Sequence, residues 1–97
     1  MLDILPRLHD ATLLSIKLDW AEKVCTFDFV GAPSIPHAFS LVWSDVQELV
    51  IPRKDEWGPS VSVMSAKNCG DNRYEIQMQS GDTIVIVSPA LAAHGVT

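Results

Sequence analysis

A chain of 97 residues is long enough for one domain with a modest core and too short for two. Its 47% hydrophobic and 20% charged residues exclude an extended disordered chain. Twelve acidic residues against seven basic ones give a formal charge of −5, which argues against a nucleic-acid binder, since that must neutralise phosphates, and suits either solubility alone or a basic partner.

Met1 to Thr12 reads as a lead-in. Pro6 interrupts any regular element there, and Ile4, Leu5 and Leu8 are expected to fold back over an end of the sheet. Leu13 to Val30 then seeds the fold. Leu14, Ile16, Leu18 and Trp20 alternate with Ser15, Lys17 and Asp19; after a short polar connection, Cys25, Phe27 and Phe29 alternate with Thr26 and Asp28. Strict alternation of apolar and polar residues marks a half-buried strand, so the stretch reads as a hairpin with one apolar face and one wet face.

Gly31 to His37 (GAPSIPH) is a loop, with two prolines and a glycine in seven residues. Ala38 to Trp43 returns to strand pattern, with Phe39, Leu41 and Trp43 on one side. Ser44 to Ile51 admits two readings. Ser44 with Gln47 forms a capping box for one helical turn, whereas Leu49-Val50-Ile51 before Pro52 reads as a strand, which is the favoured reading. Arg53 to Pro59 (RKDEWGP) is the most polar loop and holds a tryptophan.

Residues 60–68 alternate again, with Val61 and Val63 on one face. Cys69 to Asn72 supplies residues able to take positive φ. Arg73 to Gln79 turns Tyr74, Ile76 and Met78 inward, and Ser80-Gly81-Asp82 is a second tight turn. Thr83 to Val87 is apolar on both faces, which suits a central strand or one covered on both sides. Pro89 ends it, leaving ALAAHGVT as a short helix or a loose tail.

The pattern predicts one all-β domain over residues 1–97, or a β-rich one with a short helical turn. The simplest topology is an antiparallel meander of six to seven strands. A single sheet leaves its apolar face wet, so the sheet is expected to be strongly curved, a half-barrel or a small sandwich.

The chemistry is sparse. His9-Asp10 is an acid–base pair by type, but neighbours on a strand point apart and no nucleophile motif accompanies them; Asp10 reads as tying a backbone turn. His9, His37 and His94 have neither a second histidine nor a cysteine at ligand spacing, and no glycine-rich loop cradles phosphate, so no metal or cofactor is expected. Cys25 lies on an apolar strand face and Cys69 beside a turn, which is no disulfide framework. No apolar run is long enough to span a bilayer, and the opening MLDILPRLHD lacks the basic-then-apolar pattern of a signal peptide, so a cytoplasmic location is expected.

One loop stands out. Asp55-Glu56-Trp57-Gly58-Pro59-Ser60 holds a tryptophan between two acids and a Gly-Pro pair. Trp57 either lies over an open end of the core or is presented to a partner, because tryptophan buries much area at low entropic loss. Asp45 and Glu48 precede the loop and are expected to extend the same acidic edge. The candidate partner-binding set is therefore Asp45, Glu48, Asp55, Glu56 and Trp57.

Three phrases, LHDATLLSIKLDW (8–20), EWGPSVSV (56–63) and YEIQMQSGD (74–82), together resemble a group of small uncharacterised bacterial all-β proteins. Some chains with a similar opening look like immunity proteins of toxin systems. The resemblance spans most of the chain and rests on turn and strand phrases, and it implies a compact binder without catalytic activity. The expected function is thus a non-catalytic interaction protein, its partner a basic toxin or another protein, or a second copy of itself. The competing expectations are a small-molecule binding domain on the concave side of a curved sheet and a self-associating accessory domain.

Overall fold

The computed structural model describes residues 4–96. Among them a 3-10 turn (Leu5–Leu8) precedes eight strands: β1 Thr12–Asp19, β2 Val24–Gly31, β3 Phe39–Ser44, β4 Glu48–Val50, β5 Val63–Gly70, β6 Arg73–Met78, β7 Thr83–Val87 and β8 Ala90–His94. They form two four-stranded antiparallel sheets, in the orders β1-β2-β3-β8 and β4-β7-β6-β5. The protein is all-β, as its alternation predicts. No helix among the described residues is long and apolar enough to cross a membrane.

The topology is richer than one meander. β1-β2-β3 and β5-β6-β7 are local meanders, but β4 crosses to pair with β7 and β8 crosses back to pair with β3. The second crossing turns at Ser88, whose buried hydroxyl donates to the Ser44 carbonyl at 2.6 Å and accepts the Ala90 N–H at 3.3 Å. Ala90 to His94, expected as helix or tail, is a strand. The outer edge of β3 offers it a ladder from Ser40 to Ser44, and tertiary pairing overrides the helix preference of alanine. Residues 44–51 resolve in favour of the strand reading, with β4 only three residues long. β7 is a central strand, one of the two readings that its apolar faces allow.

The core lies between the sheets. β2 and β3 contribute Cys25, Phe27, Phe29, Phe39, Leu41 and Trp43; the facing sheet contributes Val63, Ile76, Met78, Ile84 and Ile86. Phe27 meets Trp43 edge-on at 4.6 Å, Phe29 stacks on its ladder partner Phe39 at 4.8 Å, and Trp43 reaches Tyr74 of β6 at 6.2 Å. Such pairs add roughly 0.5–1.5 kcal/mol each beyond area burial. Ile4 and Leu8 are fully buried at one end, as expected of the lead-in; its first three residues lie outside the described residues. The 3-10 turn is tied to the Gly31–His37 loop by reciprocal bonds, Arg7 to the Ser34 carbonyl at 2.9 Å and the Ser34 hydroxyl to the Arg7 carbonyl at 3.1 Å.

The two sheets meet at one seam. The Leu13 N–H donates to the Val61 carbonyl and the Val63 N–H to the Ala11 carbonyl, so the start of β1 pairs with the entrance to β5. Just beyond this seam the β1–β2 register shifts on either side of Leu13, a β-bulge. The extra residue changes which side chains face inward. Leu13 packs against the core, whereas Leu14, expected inside, is 70% exposed.

Candidate functional site

The loop from Ile51 to Ser62 links β4 to β5, and the β6–β7 turn holds it. Asp82 in that turn is buried, and its carboxylate accepts the Lys54 N–H at 2.8 Å, the Asp55 N–H at 3.1 Å and the Ser80 hydroxyl at 2.8 Å. The Trp57 N–H adds a bond to the Ser80 carbonyl at 2.9 Å, and the Gly58 N–H closes the turn on the Asp55 carbonyl at 2.9 Å. Asp55 and Gly58 both take positive φ, at 51° and 101°. Four bonds thus fix the loop backbone from Lys54 to Gly58.

This rigid backbone presents a tryptophan to solvent. Trp57 is 62% exposed, so it is not a lid on the core. Its ring lies over Gly81, where a Cβ would come within 3.0–3.3 Å of three indole carbons. Glycine at φ +95° therefore serves the turn and the ring together.

The five candidate residues fall into two groups. Asp55, Glu56 and Trp57 sit on the anchored loop beside the 80–82 turn. Asp45 and Glu48 lie at the other end of β4, where Glu48 is opposite Val87. Asp82 and Val87 bound the length of β7, a separation of roughly 17 Å at about 3.4 Å per residue. The single acidic edge expected from sequence is therefore two separate acidic points. The loop is also not acidic as a whole: Arg53 approaches Asp55 at 3.6 Å, and Lys54 offsets Glu56.

Hydrogen bonding sets the electrostatics of the anchor. The Lys54 N–H bond holds the Asp82 carboxyl below its ordinary value of 3.8, against an opposing push from burial, with Ser80, Asp55 and Arg53 adding to the lowering. On the other sheet the Ser40 hydroxyl, 2.6 Å from Asp28, does the same for that residue, with Lys17 at 3.5 Å assisting. Both groups bind a proton less readily folded than unfolded. Their stabilisation is complete above the ordinary carboxylate range and is lost as pH falls through their lowered folded values. Unfolding by urea is expected at a lower midpoint near about pH 3 than near about pH 6. The Asp28→Asn/Asp82→Asn double variant is expected to show a flatter pH profile; an unchanged profile would mean that other groups carry the acid sensitivity.

His9 and Asp10 are closer than expected. They lie off the strand, and Asp10 at φ 63° turns its carboxylate to within 3.4 Å of the His9 Nε2. His9 Nδ1 lies 2.8 Å from the Met64 carbonyl, so both ring nitrogens face acceptors and neither points at an open site. Asp10 also accepts from Gln79, joining the lead-in to the end of β6. The pair ties segments together through side chains: among the described residues the Asp10 carboxylate meets Gln79 and His9 and not the backbone N–H of a turn, so the backbone-turn role expected of it is replaced by a link between the lead-in and β6. No group of three or more His, Cys, Asp or Glu side chains at metal-binding distance occurs among the described residues. Both cysteines are free: Cys69 is exposed, while burial pushes the Cys25 thiol up to about 11.

Sequence reasoning missed an apolar surface. Leu14, Leu18 at 41% and Trp20 at 86% exposure lie along β1 and its turn, and the exposed Ile51 and Val61 line a groove with Leu14. A groove of about 270 Å³ runs between Leu14 and Ile16 on one side and Ile51 and Pro52 on the other. A second, of about 300 Å³, lies between Leu18 and Trp20 and the segment Val46–Leu49. Neither groove is lined by His9 or Tyr74. Alternation alone placed Leu14, Leu18 and Trp20 inside. The available signal was that β4 is too short to cover the full length of a long edge strand.

The fold and its surface define a small two-sheet antiparallel β protein with an anchored aromatic loop and an open apolar edge. No protein-family model, curated protein or solved structure matches the chain.

Proposed function

We propose that this is a non-catalytic interaction protein that docks a basic partner protein on the Arg53–Ser60 loop. Trp57 is the anchor and Glu56, which forms no ion pair among the described residues although Lys54 balances its charge, is the acidic contact beside it. The observation that carries the reading is the exposed indole on a backbone that Asp82 and Ser80 already hold rigid. An exposed aromatic anchor on a preorganised loop binds with little ordering loss, and the chain's charge of −5 favours encounter with a cationic protein. Inhibition of a basic toxin, the role implied by the resemblance to immunity proteins, is the specific form of this function we propose. Asp45 and Glu48, at the far end of β4, would then contribute to steering and not to the contact around Trp57.

The test is capture from a lysate of the source cells by wild-type, Trp57→Ala and Glu56→Lys proteins at low and high salt. The expected result is one basic protein held by the wild type at low salt and depleted at high salt. Trp57→Ala should weaken that capture by about tenfold or more with an unchanged melting curve. Co-expression should then relieve whatever toxicity the captured protein has. Equal capture by wild type and Trp57→Ala would overturn the anchor, and salt-independent capture would overturn the electrostatic part.

A further inference from the structure

We infer that the free edge of β1 is a self-pairing interface, joining two copies of the chain into one continuous sheet across a two-fold axis at Leu18. This edge borders the ends of the Arg53–Ser60 loop across the first groove but does not include Trp57, and it does not depend on the function proposed for that loop.

The edge is open where it matters. Up to Leu13 the outer side of β1 is occupied by the seam with residues 61–63. From Ser15 to Asp19 the strand has β2 on one side, and among the described residues no backbone partner on the other. Two of the other three edges are better guarded: the 3-10 turn packs against β5, which carries Lys67 and two register shifts, and β4 is three residues long. The third, β8, is an alanine-rich edge without an exposed large hydrophobic side chain, so it offers less apolar surface to a second strand. An open edge of five residues flanked by exposed leucine and tryptophan is a template for another strand.

The sequence of the edge selects a second copy. An antiparallel pair centred on Leu18 sets Leu18 against itself, Ile16 against the partner copy's Trp20, and Lys17 against the partner copy's Asp19. The wet face then carries two identical Lys–Asp pairs. Lys17 already lies 3.5 Å from Asp28 on that face, so each lysine would stand between two carboxylates. On the other face Leu18 meets its counterpart and Trp20 meets the partner copy's Ile16, beside the groove at Val46–Leu49. Opposite charges directly across a ladder favour a register and like charges reject it, and two-fold symmetry doubles each effect.

Sedimentation equilibrium on the full chain tests this. The wild type is expected to dimerise at micromolar concentration. Lys17→Glu and Asp19→Lys each place like charges opposite and should weaken self-association by about tenfold. Mixed together they should form a heterodimer of about wild-type affinity, because both cross-pairs are again opposite in charge. Leu18→Lys, a change at a part-exposed position, should abolish the dimer while leaving the melting curve unchanged. A wild type that stays monomeric at about 1 mM would overturn the proposal and leave the edge to a strand of another protein. So would a dimer insensitive to Leu18→Lys, or a mixture that associates no better than its components.

Discussion

Phe27→Ala is expected to remove about 3–5 kcal/mol of stability, the range for deleting a buried aromatic side chain. Phe27 is fully buried on β2, opposite Leu41 and edge-on to Trp43 at 4.6 Å. Truncation loses the transfer energy of the ring and leaves a cavity beneath the largest core side chain, which stiff neighbouring strands cannot close. A domain of this size has about 5–15 kcal/mol in all, so about a fifth or more of the folding energy is at stake. The urea-unfolding midpoint of the variant measures it. Leu14→Ala is the contrast. The bare alternation of β1 puts Leu14 in the core, whereas the bulge puts it in solvent, so its change should stay within about 0.5 kcal/mol. A loss of core size at Leu14 would mean that the bulge is misplaced.

Gly81→Ala is the second large effect, and it reaches the candidate site. Two penalties combine. The backbone at φ +95° suits an L residue poorly, a strain of order 1–3 kcal/mol, and the new methyl would press on the Trp57 ring at 3.0–3.3 Å. The indole is mostly exposed and can swing away, so the second penalty appears as a displaced tryptophan. The expected result is a total loss of about 1–3 kcal/mol with a changed Trp57 fluorescence environment. A double-mutant cycle separates the parts. In the Trp57→Ala background, Gly81→Ala should cost less, because only backbone strain remains. Strict additivity would show that ring and turn are not coupled, and would weaken the view of Trp57 as a fixed anchor.

The candidate residues show where a linear reading stops. Asp45, Glu48, Asp55 and Glu56 are close in sequence, and charge spacing joins them into one edge. In the fold a strand's length separates them, since β4 carries the chain from one end of β7 to the other. Asp82, the residue that fixes the loop, reads in sequence only as part of a turn. Its role depends on the chain returning, across a sequence separation of 28, to meet Lys54. Trp57 was legible as a residue needing an explanation; its exposure was not.

What the sequence determined by itself was local and periodic. The inward set of Cys25, Phe27 and Phe29, that of Phe39, Leu41 and Trp43, the turns at 69–72 and 80–82 and the central position of β7 all follow from side-chain alternation and positive-φ residues. Tertiary structure decided whatever depended on a distant partner. Pairing with β3 made a strand of the alanine-rich Ala90–His94, and the β1–β5 seam was followed by a bulge that turned Leu14 outward. Crossing between sheets set β4 beside β7 and split the acidic set in two. The reason is physical: alternation says which residues share a face, but the free energy that covers that face or leaves it open comes from strands far away in the chain.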